Sequence, residues 1–216
     1  MQRRRAWVER CAGVVGIVAV SVTLALSMAV SPAAASGLPD HQPPVPHANQ
    51  YTAFSKNGPY KPGVAYVTTA AGDTVVLTYP VDAASTVGRP TYVINLLRWF
   101  TGSPTAPIPA GLPKTLPTTL ATDAYMGVPI SAKGPFPVVL FSHGYGGYPE
   151  QSSFLTDHLA TWGFVVVAPD HRSRDLKAVV GNTTGQGQDD VTDLRQALAY
   201  VTTMNSTPGT LLTGKL

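Results

Sequence analysis

A glycine-rich turn follows a short apolar run of the sequence, and its residues suit the stabilisation of a developing negative charge. Residues 136–141 are almost wholly apolar and lead into Ser142-His143-Gly144-Tyr145-Gly146-Gly147. Acyl transfer requires backbone N–H groups directed at the oxygen that becomes negative in the tetrahedral intermediate. A turn at the carboxyl end of a buried strand can present them. We therefore predict an oxyanion hole in which the Tyr145 N–H donates, Gly144 lies beside it and His143 supports the turn.

Two other interpretations of this turn remain open. Glycines at such a position also allow a helix to pack closely, without any chemistry. A phosphate cradle is the other alternative, but the sequence has neither the Gly-x-Gly-x-x-Gly spacing nor a Walker lysine.

Neighbouring polar residues are predicted to support the turn rather than to react. Successive side chains of a strand point to opposite faces, so Ser142 and His143 are not expected to form a nucleophile–base pair. We expect the loop after the next apolar run to be held at the rim of the site by Asp170, His171, Arg172 and Arg174.

The sequence predicts no cofactor and no metal site. Cys11 is the only cysteine and lies near the N-terminus, which excludes a thiol nucleophile and a Cys-ligated metal. His41 and His47 stand among prolines, where solvated loop residues are more common than metal ligands.

The N-terminal residues 1–35 have the composition of an export signal. Arg3, Arg4, Arg5 and Arg10 precede an apolar run over 12–30, and Ala33-Ala34-Ala35 suits a signal peptidase. We expect a mature start near Ser36 and a protein that is secreted or held at the cell envelope. The alternative is an uncleaved anchor, because the run approaches membrane-spanning length. This segment is the only membrane contact that the sequence predicts.

The positive charge of the chain comes from this same segment. Without its four Arg and Glu9, the 15 basic and 12 acidic residues fall to 11 of each. A neutral mature chain without basic clusters lacks the electrostatic pattern of a nucleic-acid partner.

The remaining sequence predicts a proline-rich leader over 36–62 and one α/β domain over 63–216. β-branched runs at 64–69 and 74–79 around Gly72-Asp73 indicate an antiparallel hairpin. Residues 92–100 have helical spacing, and a proline-rich loop extends from there to 133. A strand at 136–141, a helix at 150–161 with an apolar stripe containing Phe154 and Leu155, and a strand at 164–169 predict a βαβ unit. A final helix is expected at 189–204, with Val191, Leu194, Leu198 and Val201 on its apolar stripe.

Residues 137–147 together with 162–172 resemble α/β-hydrolases of the platelet-activating-factor acetylhydrolase and dienelactone-hydrolase-like group. Bacterial polyester hydrolases and cutinases are similar in the same region. The likeness extends over about 64–216, and its strongest motif is Phe141-Ser142-His143-Gly144. It implies an α/β-hydrolase fold, with a mostly parallel sheet and an N-terminal antiparallel hairpin, of which this chain carries the N-terminal part and lacks the C-terminal half.

The resemblance also implies a secreted serine esterase that acts on lipid, short-chain or polyester substrates. The sequence departs from the family pattern because it contains no Gly-x-Ser-x-Gly elbow. Nucleophile, acid and base are therefore expected to lie beyond this chain. A lactone hydrolase with a downstream cysteine nucleophile is one alternative, and a non-catalytic binding module or inactive remnant is another. The second strand of the βαβ unit is expected to be an exposed, aggregation-prone edge.

Overall fold

The computed structural model describes residues 54–216, all within one compact unit. The predicted signal peptide, Cys11, His41, His47 and most of the predicted leader lie outside the described residues. No helix within the described part of the chain is long and apolar enough to cross a membrane.

A five-stranded mixed sheet forms the centre. Its strands are β1 (Lys61–Thr68), β2 (Thr74–Val81), β5 (Tyr125–Met126), β6 (Val138–Leu140) and β7 (Val165–Pro169). They lie in the order β5-β1-β2-β7-β6. The pairs β1–β2 and β2–β7 are antiparallel, whereas β5–β1 and β6–β7 are parallel. A separate two-stranded sheet contains β3 (Val93–Asn95) and β4 (Thr119–Ala121). The helices are α1 (Leu96–Thr101), α2 (Ser153–Thr161), α3 (Leu176–Val180) and α4 (Asp190–Ser206), with a 3₁₀ turn at Ala83–Thr86.

The predicted hairpin is confirmed as β1 and β2, which pair from Lys61↔Val81 to Thr68↔Thr74. Gly72 has φ +84° in the connecting turn, a conformation that favours glycine. β1 begins inside the predicted leader. β2 is buried along almost its whole length, and its alternate side chains enter two apolar clusters, one containing Leu77 and the other Val76. The sheet therefore has a core on both faces.

The predicted βαβ unit is confirmed as β6, α2 and β7, but its edge lies elsewhere. β7 is fully buried between β2 and β6, whereas the prediction placed it at the exposed edge. Of the two strands of the unit, β6 lies at an edge of the described sheet, because the hairpin strand β2 pairs with the other side of β7. The predicted burial of β6 on both faces was wrong, since Val138 and Val139 are only half-buried and Leu140 is 38% exposed.

The helix predicted over 92–100 was wrong in its first half. β-branched Val93 and Ile94 pair with β4, in keeping with the strand preference of such residues. The helix begins only after Asn95, whose side chain accepts from the Leu97 N–H at 2.9 Å. The predicted loop up to 133 likewise contains two short strands, β4 and β5.

In two helices the face that packs on the protein interior differs from the predicted apolar stripe. In α2 the buried residues are Thr156, Asp157, Ala160 and Thr161, while Phe154 is 79% exposed. In α4 the buried residues are Asp193, Ala197 and Val201, spaced four apart, while Val191 is 54% exposed. The small Ala197 allows close packing on the sheet, where it joins the cluster of Val165 and Val167.

The inward face of α2 carries an unusual acid. Asp157 lines a cavity of about 320 Å³ together with Asp123. Burial raises the pKa of the Asp157 carboxyl to about 7, and the negative charge of Asp123 adds to this effect. An unfolded aspartate titrates near pH ~4, so the folded state binds the proton more tightly. Asp157 therefore lowers stability as the pH rises from about 4 to 7.

Asp157→Asn removes this titration, so we expect a flatter dependence of unfolding free energy on pH between about 4 and 7, and a variant more stable than wild type at pH 8 by on the order of 1–3 kcal/mol. Urea unfolding at a series of pH values measures the free energy of unfolding of both proteins. Asp82→Asn is the control of opposite sign, because hydrogen bonds from Ser131 and Ala132 lower the pKa of the Asp82 carboxyl. A wild-type profile that does not fall over this range would contradict the assignment.

Candidate active site

Two loops meet at the carboxyl ends of β6 and β7. The strands are parallel and adjacent, so the residues that follow each strand emerge at the same edge of the sheet. After β6 comes the turn over 142–147, and after β7 comes the loop over 170–175. The edge where such loops converge is where open α/β sheets hold ligands.

His143 joins the two loops from within the protein. The side chain is buried, and its Nε2 accepts from the backbone N–H of His171 at 3.0 Å. In the neutral ring the proton is then on Nδ1, which lies 3.0 Å from Gly144 O and donates to it. His143, the predicted supporting residue, therefore connects the second loop to the Gly144–Tyr145 peptide of the turn.

The Gly144–Tyr145 peptide is held by its carbonyl oxygen. Gly144 O accepts from His143 Nδ1 and from the Gly147 N–H at 2.9 Å. In a trans peptide the N–H points away from the C=O, so the Tyr145 N–H is directed to the opposite side. Among the described residues this N–H donates to no group, and Tyr145 is 69% exposed. A Cβ added at Gly144 would meet nothing within 4 Å, which leaves space for a ligand beside the peptide.

The far side of the turn is attached to the second loop by backbone hydrogen bonds. The Gly146 N–H donates to Arg174 O, and the Leu176 N–H donates to Gly147 O, both at 2.8 Å. Gly146 has φ +68°, which most side chains disfavour. The turn is thus fixed at both ends.

Ser142 begins a second series of side-chain contacts, which leads through His171 to Asp193. Its Oγ lies 2.8 Å from His171 Nε2, and His171 Nδ1 lies 2.9 Å from Asp193 Oδ2. A triad within this chain was not expected from the sequence, because Ser142 and His143 point to opposite faces of a strand and His171 was paired with its neighbour Asp170 rather than with Asp193. The buried positions Asp193, Ala197 and Val201 of α4 share one helix face, and that spacing is the signal that could have placed Asp193 against the sheet.

Charged side chains surround this chain. Arg174 Nε lies 2.6 Å from Asp190 Oδ2 as an ion pair, and Arg172 pairs with Asp73 at the rim. His171, Asp190 and Asp193 offer ligand atoms within 4.8 Å of one another. Asp190 already pairs with Arg174, and Asp193 already contacts His171. We therefore interpret the three residues as part of an ion-pair network. Burial raises the pKa of the Asp193 carboxyl, against the opposing effect of His171.

Asp170 lies close to His143 without a hydrogen bond to it. Its Oδ1 is 3.5 Å from His143 Nε2, which already accepts from His171 and has no proton to donate. Within residues 54–216 this buried oxygen has no hydrogen-bond partner. Burial raises the pKa of the adjacent Asp175 carboxyl, and the charge of Asp170 adds to this.

Glu150 fixes the segment that leaves the turn. Its Oε2 accepts from Tyr66 Oη at 2.7 Å and from Trp99 Nε1 at 2.8 Å, and the Tyr66 hydroxyl also contacts that of Tyr92. Burial raises the pKa of the Glu150 carboxyl, while these donors lower it. No role for Glu150 was predicted from the sequence.

The comparison with known families agrees with this architecture. The model of the family described as platelet-activating factor acetylhydrolase, isoform II, matches residues 47–205, which is more than half of the chain and contains the turn, both loops and Asp193. Members are hydrolases of the α/β-hydrolase superfamily. With its mixed sheet and covering helices, the chain belongs to the platelet-activating factor acetylhydrolase isoform II family.

Proposed function

We propose that this protein is a secreted carboxylic-ester hydrolase that acts on lipid or short-chain esters by serine nucleophile catalysis. The Tyr145 N–H forms part of its oxyanion hole. The nucleophilic serine lies on a Gly-x-Ser-x-Gly elbow outside the described residues.

One observation carries the proposal: the Tyr145 N–H donates to no group within residues 54–216, while its own peptide plane is held rigidly. An oxyanion donor must be oriented before the reaction, because reorientation during the reaction would cost part of the stabilisation. His143 Nδ1 and the Gly147 N–H provide that orientation through Gly144 O. A turn that served packing alone would gain nothing from a free, exposed N–H.

In the proposed reaction, the serine oxygen attacks the ester carbonyl carbon, its proton passes to the histidine base that the family likeness implies, and the carbonyl oxygen acquires the negative charge. The Tyr145 N–H donates to that oxygen, while a second N–H comes from the residue after the nucleophile, as the family likeness implies. Collapse of the intermediate releases the alcohol, which takes the proton from the histidine. Water, deprotonated by the same histidine, then attacks the acyl-serine, and the acid departs as the serine regains its proton.

The edge strand β6 supports this proposed position of the elbow. β6 pairs with β7 on one side only among the described strands, so its other side offers unpaired backbone groups to a further parallel strand. The carboxyl end of such a strand would lie beside the turn over 142–147. An elbow at that end would bring its serine close to the Tyr145 N–H.

Tyr145→Pro tests the donor, because proline has no backbone N–H. We expect kcat/KM for 4-nitrophenyl acetate to fall about 10²–10³-fold, the usual effect of losing one oxyanion donor. Tyr145→Phe keeps the N–H and the ring and is the matched control, which we expect to retain activity within a few fold. Both are made in the protein produced from its complete coding sequence.

Equal loss in the two variants would contradict the role of the N–H, as would full activity of Tyr145→Pro. If the wild-type protein hydrolyses no ester, the non-catalytic binding module becomes the better account. The exposed Phe154 on α2 is consistent with that second candidate.

Export is proposed from the N-terminal sequence and has a direct test. N-terminal sequencing of the protein recovered from the culture medium of its native host should give a start within a few residues of Ser36. A protein found only in the membrane fraction with Met1 retained would show an uncleaved anchor.

A further inference from the structure

Ser142, His171 and Asp193 form an unbroken chain of contacts beside the turn, and the reaction above uses none of them as a nucleophile or base. The Ser142 Oγ to His171 Nε2 distance is 2.8 Å, and the His171 Nδ1 to Asp193 Oδ2 distance is 2.9 Å. A serine activated by a general base, with the base oriented by a third group, requires contacts of about 2.6–3.2 Å. Both distances satisfy that requirement.

The arrangement also selects the reactive form of the imidazole. His171 Nδ1–H donates to the Asp193 carboxylate, which leaves Nε2 to accept the Ser142 proton. His171 is fully buried, and its ring packs against that of His143 with centroids 4.8 Å apart. Its backbone N–H is bound by His143 Nε2. The imidazole is therefore held in position for proton transfer.

Ser142 itself is exposed, although its base is buried. Arg174 Nη2 lies 3.3 Å from Ser142 Oγ, where its positive charge would stabilise a developing alkoxide. The free Tyr145 N–H lies three residues further along the same turn. Ser142 thus has a base, a nearby cation and a candidate oxyanion donor.

From this geometry we propose that Ser142 is a second acyl-accepting serine that takes short acyl groups from activated esters. Ser142 Oγ attacks the carbonyl carbon, and its proton passes to His171 Nε2. The bond from that carbon to the alcohol oxygen breaks, and His171 returns the proton to the departing alcohol. Water then attacks acyl-Ser142 and gives a proton to His171 Nε2. The acyl bond to Ser142 Oγ breaks, the carboxylic acid departs, and His171 returns the proton to Ser142 Oγ. Ser142 and Tyr145 are exposed, so a small activated ester can reach Ser142 Oγ without a rearrangement of the turn.

This site goes beyond the proposed function, since every group it needs lies within residues 54–216. The test is acetylation by 4-nitrophenyl acetate, applied to the chain as it stands and to the product of the complete coding sequence. Intact mass measures the acetyl group, and peptide mapping assigns it to a residue. We expect acetyl on Ser142, its loss from that peptide in Ser142→Ala, and a rate about 10–100-fold lower in Asp193→Asn, because the base loses its orienting carboxylate.

Ser152→Ala is the matched control, because Ser152 stands at the start of α2 and its side chain makes no capping hydrogen bond. It should keep the wild-type rate. Circular dichroism and urea midpoints establish that each variant is folded. Asp193→Asn is isosteric, which limits structural change. Arg174→Lys provides a second variant at the surface, and we expect it to lower the acetylation rate of Ser142 by about 10-fold or less.

Several outcomes would overturn the proposal: no acetyl on Ser142, or an acetylation rate of Ser142 that is unchanged in Asp193→Asn. Acetyl on a serine outside 54–216 with Ser142 unmodified overturns it and supports the proposed elbow. Acetyl on Ser142 alone, in the product of the complete coding sequence, supports it and contradicts the proposed elbow. The two proposals therefore fail separately.

Discussion

The hydrogen bond from the His171 N–H to His143 Nε2 joins the loops that follow β6 and β7, and the geometry of the site depends on it. Because Nε2 accepts at 3.0 Å, the neutral His143 ring carries its proton on Nδ1 and donates it to Gly144 O. That contact orients the peptide whose N–H faces outward at Tyr145. The same bond fixes the backbone of His171, whose ring contacts Ser142 and Asp193. A buried imidazole without such partners would carry a desolvation cost of about 1–3 kcal/mol.

The sheet order explains why these loops can meet at all. β7 is enclosed by β2 and β6, and the parallel pairing of β6 with β7 brings their carboxyl ends together. α4 then packs its small inward residues on the same sheet and directs Asp193 at His171. On the other side, Glu150 accepts from Trp99 and Tyr66 and holds the chain where it leaves the turn. The turn over 142–147 is therefore held at its start by the contacts of His171 and Asp193 and after its end by those of Glu150.

Local patterns in the sequence predicted the hairpin, the βαβ unit and the turn over 142–147, because each has a strong local signal of β-branched runs and glycines. The strand at 93–95 was missed because its apolar residues also fit helical spacing. The inward faces of α2 and α4 were wrong because the most apolar stripe was assumed to be buried, whereas the described structure buries Asp157 and Asp193 and exposes Phe154 and Val191. The Ser142–His171 contact joins two loops 29 positions apart, and only the strand order could have predicted it. The roles of Tyr145, Gly144 and His143 in catalysis remain predictions.

A crystal structure of the protein from its complete coding sequence, inactivated by a small alkyl phosphonate, tests the central claim most directly. The phosphonyl oxygen imitates the oxyanion of the tetrahedral intermediate. We predict that this oxygen lies about 2.7–3.1 Å from the Tyr145 backbone nitrogen, with Gly144 O still accepting from His143 Nδ1. An adduct whose oxygen contacts other donors, while the Tyr145 N–H faces water, would contradict it.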